Sequence, residues 1–146
     1  LVKTGKQFAA PRWSPDGKSI AYISCTWSDP GLIGGDLYMI DVQSGSIRNL
    51  TEGLALSVSW FQWKSDGAGL LAMSHTGGNV SLNEIDVRSG KVNQVWAGPF
   101  TLSERSQPKF STNRARELFA VAREDPLHPR DIWTWSRRDD YTLGDG

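Results

Sequence analysis

Peptide or ester hydrolysis without a metal needs a nucleophile, a base to take its proton and a third group to orient the base. The chain holds serines, aspartates, one cysteine (Cys25) and two histidines (His75 and His128). Inventory alone is not a triad, because these residues act only when the fold brings them within hydrogen-bond reach. A hydrolase of the α/β type presents its serine on a G-x-S-x-G elbow, since the tight strand-to-helix turn admits only small neighbours. No such pentapeptide occurs in the sequence. A metal ion needs about three or four donors at workable spacing, and Cys25, His75 and His128 lie far apart with no paired donor beside them. His75 stands before Thr76-Gly77-Gly78 and His128 stands before Pro129, so both are expected as solvated or hydrogen-bonded loop residues. The expectation is a chain with no catalytic residues, no metal and no cofactor of its own, and with no substrate-binding residue assigned.

Four aspartates recur in pairs: Asp16 and Asp66 in Asp-Gly turns, and Asp41 and Asp86 ahead of Ser-Gly turns. A short carboxylate that accepts turn amides accounts for that placement without a functional role. Asn49-Leu50-Thr51 and Asn79-Val80-Ser81 fit the glycosylation acceptor pattern, but each falls in or at the end of a strand-like run and is discounted. Arg137-Arg138-Asp139-Asp140 reads as a solvated turn with offsetting charges. The longest loop, Thr26 to Gly35 with Trp27 in it, is the first place to expect a ligand contact.

The elements that hold these residues come from a repeat. Trp13-Ser14-Pro15-Asp16-Gly17 and the run Ser19 to Ser24 return as Trp63-Lys64-Ser65-Asp66-Gly67 and Gly69 to Ser74; Asp41-Val42-Gln43-Ser44-Gly45 returns as Asp86-Val87-Arg88-Ser89-Gly90. A worn third copy runs from Phe110-Ser111-Thr112-Asn113 through Leu118 to Ala122 and on to Trp133, with Asn113 in place of the Asp-Gly turn and suited to a left-handed conformation. The period of about 45 to 50 residues belongs to propellers and arrays.

In the first copy, strands are expected over 7–13, 19–24, 36–42 and 46–50. The second copy gives 58–63, 69–74, 80–87 and 91–96, and the third gives 107–111, 117–123, 130–135 and a frayed strand at 141–143. No segment keeps a 3.6-residue apolar period. The fold class is therefore all-β: three four-stranded antiparallel blades, near 7–51, 57–96 and 106–146, forming part of a β-propeller over 1–146. Trp13 and Trp63 end equivalent strands and are expected in the core, as are Trp60, Trp133 and Trp135.

Three blades do not close a ring, for propellers have about 4 to 8. Both outer blades would leave an apolar face uncovered, so the chain is expected to be a piece of a larger propeller, or to self-associate through those faces. The missing initiator Met and the early onset of the repeat fit a piece cut from a longer protein.

Composition limits the partners. Of 146 residues, 38% are hydrophobic and 22% charged, with 16 Lys plus Arg against 16 Asp plus Glu. That balance offers no basic surface for nucleic acid or anionic lipid, and no run approaches the roughly 20 apolar residues of a membrane helix. With Cys25 alone, no intrachain disulfide can form, which fits a reducing compartment.

The runs Trp13 to Tyr22, Gly35 to Asp41 and Arg48-Asn49-Leu50-Thr51 resemble the WD-like repeat shared by Tol-type periplasmic propellers and the prolyl oligopeptidase family of serine peptidases. The stretch Phe119 to Trp133, with Asp125-Pro126-Leu127-His128-Pro129 inside it, looks like a blade next to the hydrolase domain in acylaminoacyl-peptidase and dipeptidyl-aminopeptidase members. The peptidase resemblance implies a non-catalytic propeller that gates oligopeptide access to an α/β-hydrolase domain absent from this chain. Its partners would be that domain, further blades and the peptide substrate of the parent, with a cytoplasmic location. The alternative is a Tol-type scaffold for protein–protein binding, periplasmic and without enzyme activity.

Overall fold

In the computed structural model, residues 5–26, 33–99, 101–102, 109–115 and 117–136 are described. They form three antiparallel sheets. The first pairs β1 (Gln7–Trp13), β2 (Ser19–Cys25), β3 (Asp36–Asp41) and β4 (Ile47–Asn49) in chain order. The second repeats this meander with β5 (Ser57–Trp63), β6 (Gly69–Thr76), β7 (Asn79–Asp86) and β8 (Val92–Gly98).

The third sheet departs from the expected pattern. β9 (Thr101–Leu102) and β10 (Ser111–Thr112) both pair with β11 (Leu118–Asp125), whose other edge is taken by β12 (His128–Ser136). Among the described residues this sheet is therefore three strands wide, its first strand split into two short pieces. The strand expected at 141–143 lies outside the described residues. The expected left-handed Asn113 is not found either: Ala10, at φ 52°, is the non-glycine residue with positive φ among those described. Asn113 closes its turn with its side chain instead, its Oδ1 accepting the amides of Glu117 at 2.9 Å and Leu118 at 3.1 Å.

The turns follow the residue types. Gly17 and Gly67 take φ of 71° and 69°, which a side chain would strain, and so close the hairpins between the first and second strands. Asp16 Oδ1 accepts from Ser14 Oγ and the Lys18 amide, and Asp66 Oδ1 accepts from the Ala68 amide. Asp41 and Asp86 take the amides of Ser44 and Ser89, each at 2.7 Å. The Ser14 hydroxyl holds the Asp16 carboxyl below its ordinary pKa of 3.8; the Ser44 and Ser89 amides do the same for Asp41 and Asp86.

A second device locks β3 to β4. Thr51 is fully buried; its Oγ1 accepts the Leu37 amide at 3.0 Å and donates to Asp36 Oδ1 at 3.1 Å. Asn49 Nδ2 donates to the other Asp36 oxygen at 3.0 Å, and Asn49 Oδ1 accepts the Thr51 amide. The residues of this glycosylation-like triplet are thus committed to an internal clasp.

Packing sets the middle sheet between the other two. Alternate side chains of a strand point to opposite faces, and β6 is apolar on both. Leu70 and Ala72 pack with Ala21, Ile23 and Leu37 of the first sheet, around Phe61 and Trp63. Leu71 and Met73 pack with Phe110, Phe119 and Val121 of the third. Trp60 and Trp133 are partly buried against this second cluster, while the Trp135 side chain lies outside the described set.

Trp63 is in the core as expected, with 4% of its surface exposed. Trp13 is not: it is 58% exposed. The cause is position, for Trp13 lies opposite Ile20 on the face of the first sheet that turns away from the second. Phe8 and Ile47 share that face at 43% and 44% exposure.

Thr51→Val removes both hydroxyl bonds and leaves the buried Leu37 amide without an acceptor. A loss of about 1–3 kcal/mol is expected, and an unchanged urea midpoint would show that the clasp is dispensable. The turn aspartates set the acid limb. Their folded pKa values lie below the ordinary 3.8, so their contribution is complete above that value and is lost as pH falls through the folded values. The urea midpoint is expected to hold steady from about pH 7 to 5 and to drop below about pH 4. Asp41→Asn with Asp86→Asn should flatten that drop; an unaltered acid limb in the double variant would contradict the assignment.

Candidate functional site

The first strand of each sheet, or the residue leading into it, contributes to one cluster. Arg12 comes from the end of β1, Trp60 from the middle of β5, and Lys109 from just before β10. The Arg12 guanidinium carbon lies 4.1 Å from the centre of the Trp60 ring and 5.8 Å from that of Phe61. Lys109 Nζ lies 5.3 Å from the same Trp60 ring. Two cations from different sheets thus bear on one indole, whose electron-rich face attracts them.

The local chain path explains how Arg12 reaches this place. A register shift between Ala9 and Arg12 breaks the β1–β2 ladder, and a matching shift lies between Val58 and Trp60 in β5. Such bulges turn side chains away from the simple alternation of a strand. Burial pushes the Arg12 pKa down from its ordinary value, since the charged form is the one that loses hydration. Arg12 Nε and Trp60 Nε1 are sealed from solvent and have no hydrogen-bond partner. Trp60 and Lys109, with Ser111 and Arg130 among others, line a cavity of about 580 Å³ that Arg12 does not reach.

The residues singled out in the sequence are not brought together. His75 is exposed at the end of β6. His128 opens β12 across a two-residue turn from Asp125, with its Nδ1 2.9 Å from Asp125 Oδ1. This is a hairpin and not the open loop expected there; the Leu127 and His128 amides also fall to the same carboxylate, which stays below its ordinary pKa chiefly through the Leu127 amide. Cys25 ends β2, its Sγ 3.7 Å from the Thr26 carbonyl. Among the described residues, no group of three His, Cys, Asp or Glu side chains could hold a metal ion. Trp27 and Arg137 to Asp140 lie outside the described residues.

Sequence reasoning missed the Arg12–Trp60–Lys109 cluster. One signal existed: Arg12 and Gln62 precede the equivalent Trp13 and Trp63, and a cation at a repeat position that elsewhere carries a neutral amide marks a site free to differ. Trp60 gave no signal, being one more ring in an apolar run.

No family model matches the chain. It is similar to dipeptidyl-peptidase 5 of Porphyromonas gingivalis, 30% identical over 88 residues, which is 60% of this chain and 13% of that protein. It is also similar to the uncharacterized peptidase YuxL of Bacillus subtilis, 33% identical over 79 residues, covering 54% of this chain and 11% of that one. Among solved structures it resembles a puromycin-hydrolyzing peptidase of Mycobacterium tuberculosis, with a TM-score of 0.77 at 15% identity over 99% of this chain and 22% of that chain. TolB from Acinetobacter baumannii gives a TM-score of 0.65 at 18% identity over 97% of this chain and 32% of the other. The chain thus spans a small part of each curated relative it matches, both relatives are peptidases, and the solved neighbours share its stack of antiparallel sheets.

Proposed function

We propose that residues 1–146 are a partial β-propeller of WD-like repeats, with blades near 7–51, 57–96 and 106–146, inside a serine peptidase of the prolyl oligopeptidase family. In this reading the chain does no chemistry. It is rigid walling that admits oligopeptides to a hydrolase domain and keeps folded proteins out.

The observation that carries the incompleteness is the contrast between Trp63 and Trp13. These are equivalent residues, since the hydrogen bonds Ser14 N to Ser19 O and Lys64 N to Gly69 O set the same register after each. Trp63 is covered by the sheet before it, and its indole Nε1 donates to the Arg12 carbonyl at 3.1 Å. Thr112 holds the same place in the third copy, where Asn113 N bonds Leu118 O, and its Oγ1 lies 3.1 Å from Gln62 Nε2. At both junctions the residue in this position bonds the residue one step earlier in the preceding sheet. Trp13 has the ring for the same junction and, among the described residues, no sheet against it, being 58% exposed. A further blade, offering its own carbonyl to the Trp13 indole, completes the pattern.

That the parent is a peptidase is supported by the two curated relatives. The likeness to TolB supports the second reading, a binding scaffold without a hydrolase domain.

Two experiments separate these. In the full-length polypeptide that carries the chain, Trp13→Ala should cost as much as Trp63→Ala, about 3–5 kcal/mol each, because both rings would be buried. Equal denaturation midpoints for Trp13→Ala and the parent polypeptide would mean that no blade covers Trp13. The full polypeptide should also react with a serine-directed fluorophosphonate, and residues 1–146 alone should not. Labelling of 1–146 alone would place a nucleophile in this chain, and a full polypeptide that resists the reagent would favour the scaffold.

A further inference from the structure

We propose that the open cavity on the third sheet is the seat of a further antiparallel sheet, whose first strand sets an aromatic ring against Ala120 and Ala122. The two junctions inside the chain supply the comparison. The bonds Ser14 N to Ser19 O, Lys64 N to Gly69 O and Asn113 N to Leu118 O align the three copies, so Ala21 and Ile23 correspond to Leu71 and Met73, and to Ala120 and Ala122. Ala21 and Ile23 are fully buried and share a cluster with Phe61 of the second sheet. Leu71 and Met73 share one with Phe110, which stands just before β10 at the place that Phe61 holds one copy earlier. Each junction thus brings a phenylalanine of the later sheet into one cluster with the same pair of positions of the earlier sheet.

The third sheet has the pair and, among the described residues, no ring from a later sheet. Phe119 and Val121 turn toward the second sheet, so Ala120, Ala122 and the Ile132 that pairs with Ala122 lie on the opposite face. On that face Ile132 is 65% exposed and Leu118 50% exposed, and Ala120, Ala122 and Ile132 line the cavity of about 580 Å³. Two alanines leave more room than Ala21 with Ile23, or Leu71 with Met73. A small side chain seated there would leave a void, and a void in a packed interior is destabilising. The charges at the rim do not oppose a cover, since Arg130 is paired with Glu124 and Lys109 lies over the Trp60 ring.

A polar mark agrees with the apolar one. Arg12 and Gln62 make the bonds to the next sheet at the two internal junctions, and Ser111 holds their place in the third copy. Ser111 is exposed and lines this cavity. Its partner falls two residues after the ring, as Trp63 follows Phe61 and Thr112 follows Phe110. The first strand of the covering sheet is therefore expected to read aromatic residue, any residue, then Trp, Thr or Ser. The inference rests on the propeller reading and extends it to the end of the stack opposite Trp13.

The test is thiol protection in the full-length polypeptide that carries the chain, in a Cys25→Ser background, read peptide by peptide by mass spectrometry. Ala122→Cys and Ile132→Cys should react with N-ethylmaleimide at least about 10-fold more slowly than Leu127→Cys, whose site at the hairpin tip is 86% exposed. The slow rates should not change on dilution. Rates equal to that of Leu127→Cys would leave the face open and overturn the proposal, while a destabilising Trp13→Ala would still uphold the propeller reading. Protection that fades on dilution would give the face to a second copy and overturn it likewise. Irradiated Ile132→p-benzoylphenylalanine should cross-link to a segment of the same polypeptide that carries the aromatic residue and, two positions later, the hydrogen-bonding one. A cross-linked segment without that aromatic residue, or no cross-link, would overturn the assignment of the ring.

Discussion

The structure depends on covering both faces of a sheet at once. A strand whose side chains alternate can keep one face in water, as most antiparallel sheets do. β6 does not: from Gly69 to Ser74 every residue is buried, with Leu70 and Ala72 on one side and Leu71 and Met73 on the other. Such a strand is stable only between two other layers, because leaving either face wet would forgo roughly 1.5–3 kcal/mol for each large side chain exposed. The first and third sheets are those layers. The two apolar clusters are therefore separate, joined through the thickness of one sheet.

The same constraint makes register matter across sheets as well as within them. Apolar packing alone would let neighbouring sheets slide, since dispersion contacts have little direction. The bonds from Trp63 Nε1 to the Arg12 carbonyl and from Gln62 to Thr112 fix each pair of first strands against the next. Each is a polar contact at the margin of an apolar layer, where a slip would leave buried donors and acceptors unmatched at about 1–3 kcal/mol apiece. Two sheets of unequal width can thus share one geometry: the third sheet, with its divided first strand, still meets the second at the position that Trp63 occupies one sheet earlier.

Much of this was legible in the sequence because the repeat is carried by residues with specific backbone demands. The Asp-Gly and Ser-Gly pairs mark the hairpins, and in the first two repeats the β-branched and aromatic runs between them became strands within one or two residues of the expected limits, whereas the first strand of the third, expected at 107–111, is the short Ser111–Thr112 with a second piece at Thr101–Leu102. What failed has identifiable causes. Trp13 and Trp63 hold equivalent positions in the repeat and are opposite in exposure, since burial depends on whether a sheet lies in front of the residue and not on the residue. Asn113 has two ways to close a turn, backbone or side chain, and the sequence does not choose between them. The His128 loop contracted to a hairpin because Asp125 gathers two amides and an imidazole. The cluster at Trp60 was hidden altogether: its three members lie about 48 to 49 residues apart, close to one repeat period, and only the stacking of sheets makes them neighbours.

That cluster also shows how one residue serves two ends. The backbone carbonyl of Arg12 receives the Trp63 indole and fixes the first junction, while the guanidinium of the same residue lies over Trp60. Its backbone cannot move without breaking the junction, so the guanidinium is anchored at its root and confined by packing at its head. Trp60 is held in turn against the second apolar cluster, with Lys109 brought over it by the third sheet. The price is the desolvation of Arg12, an energetic burden that nothing among the described residues relieves. Junctions that stabilise the stack therefore also hold a charge in a place where stability alone would favour a neutral side chain, such as the Gln62 amide at the equivalent position of the next repeat.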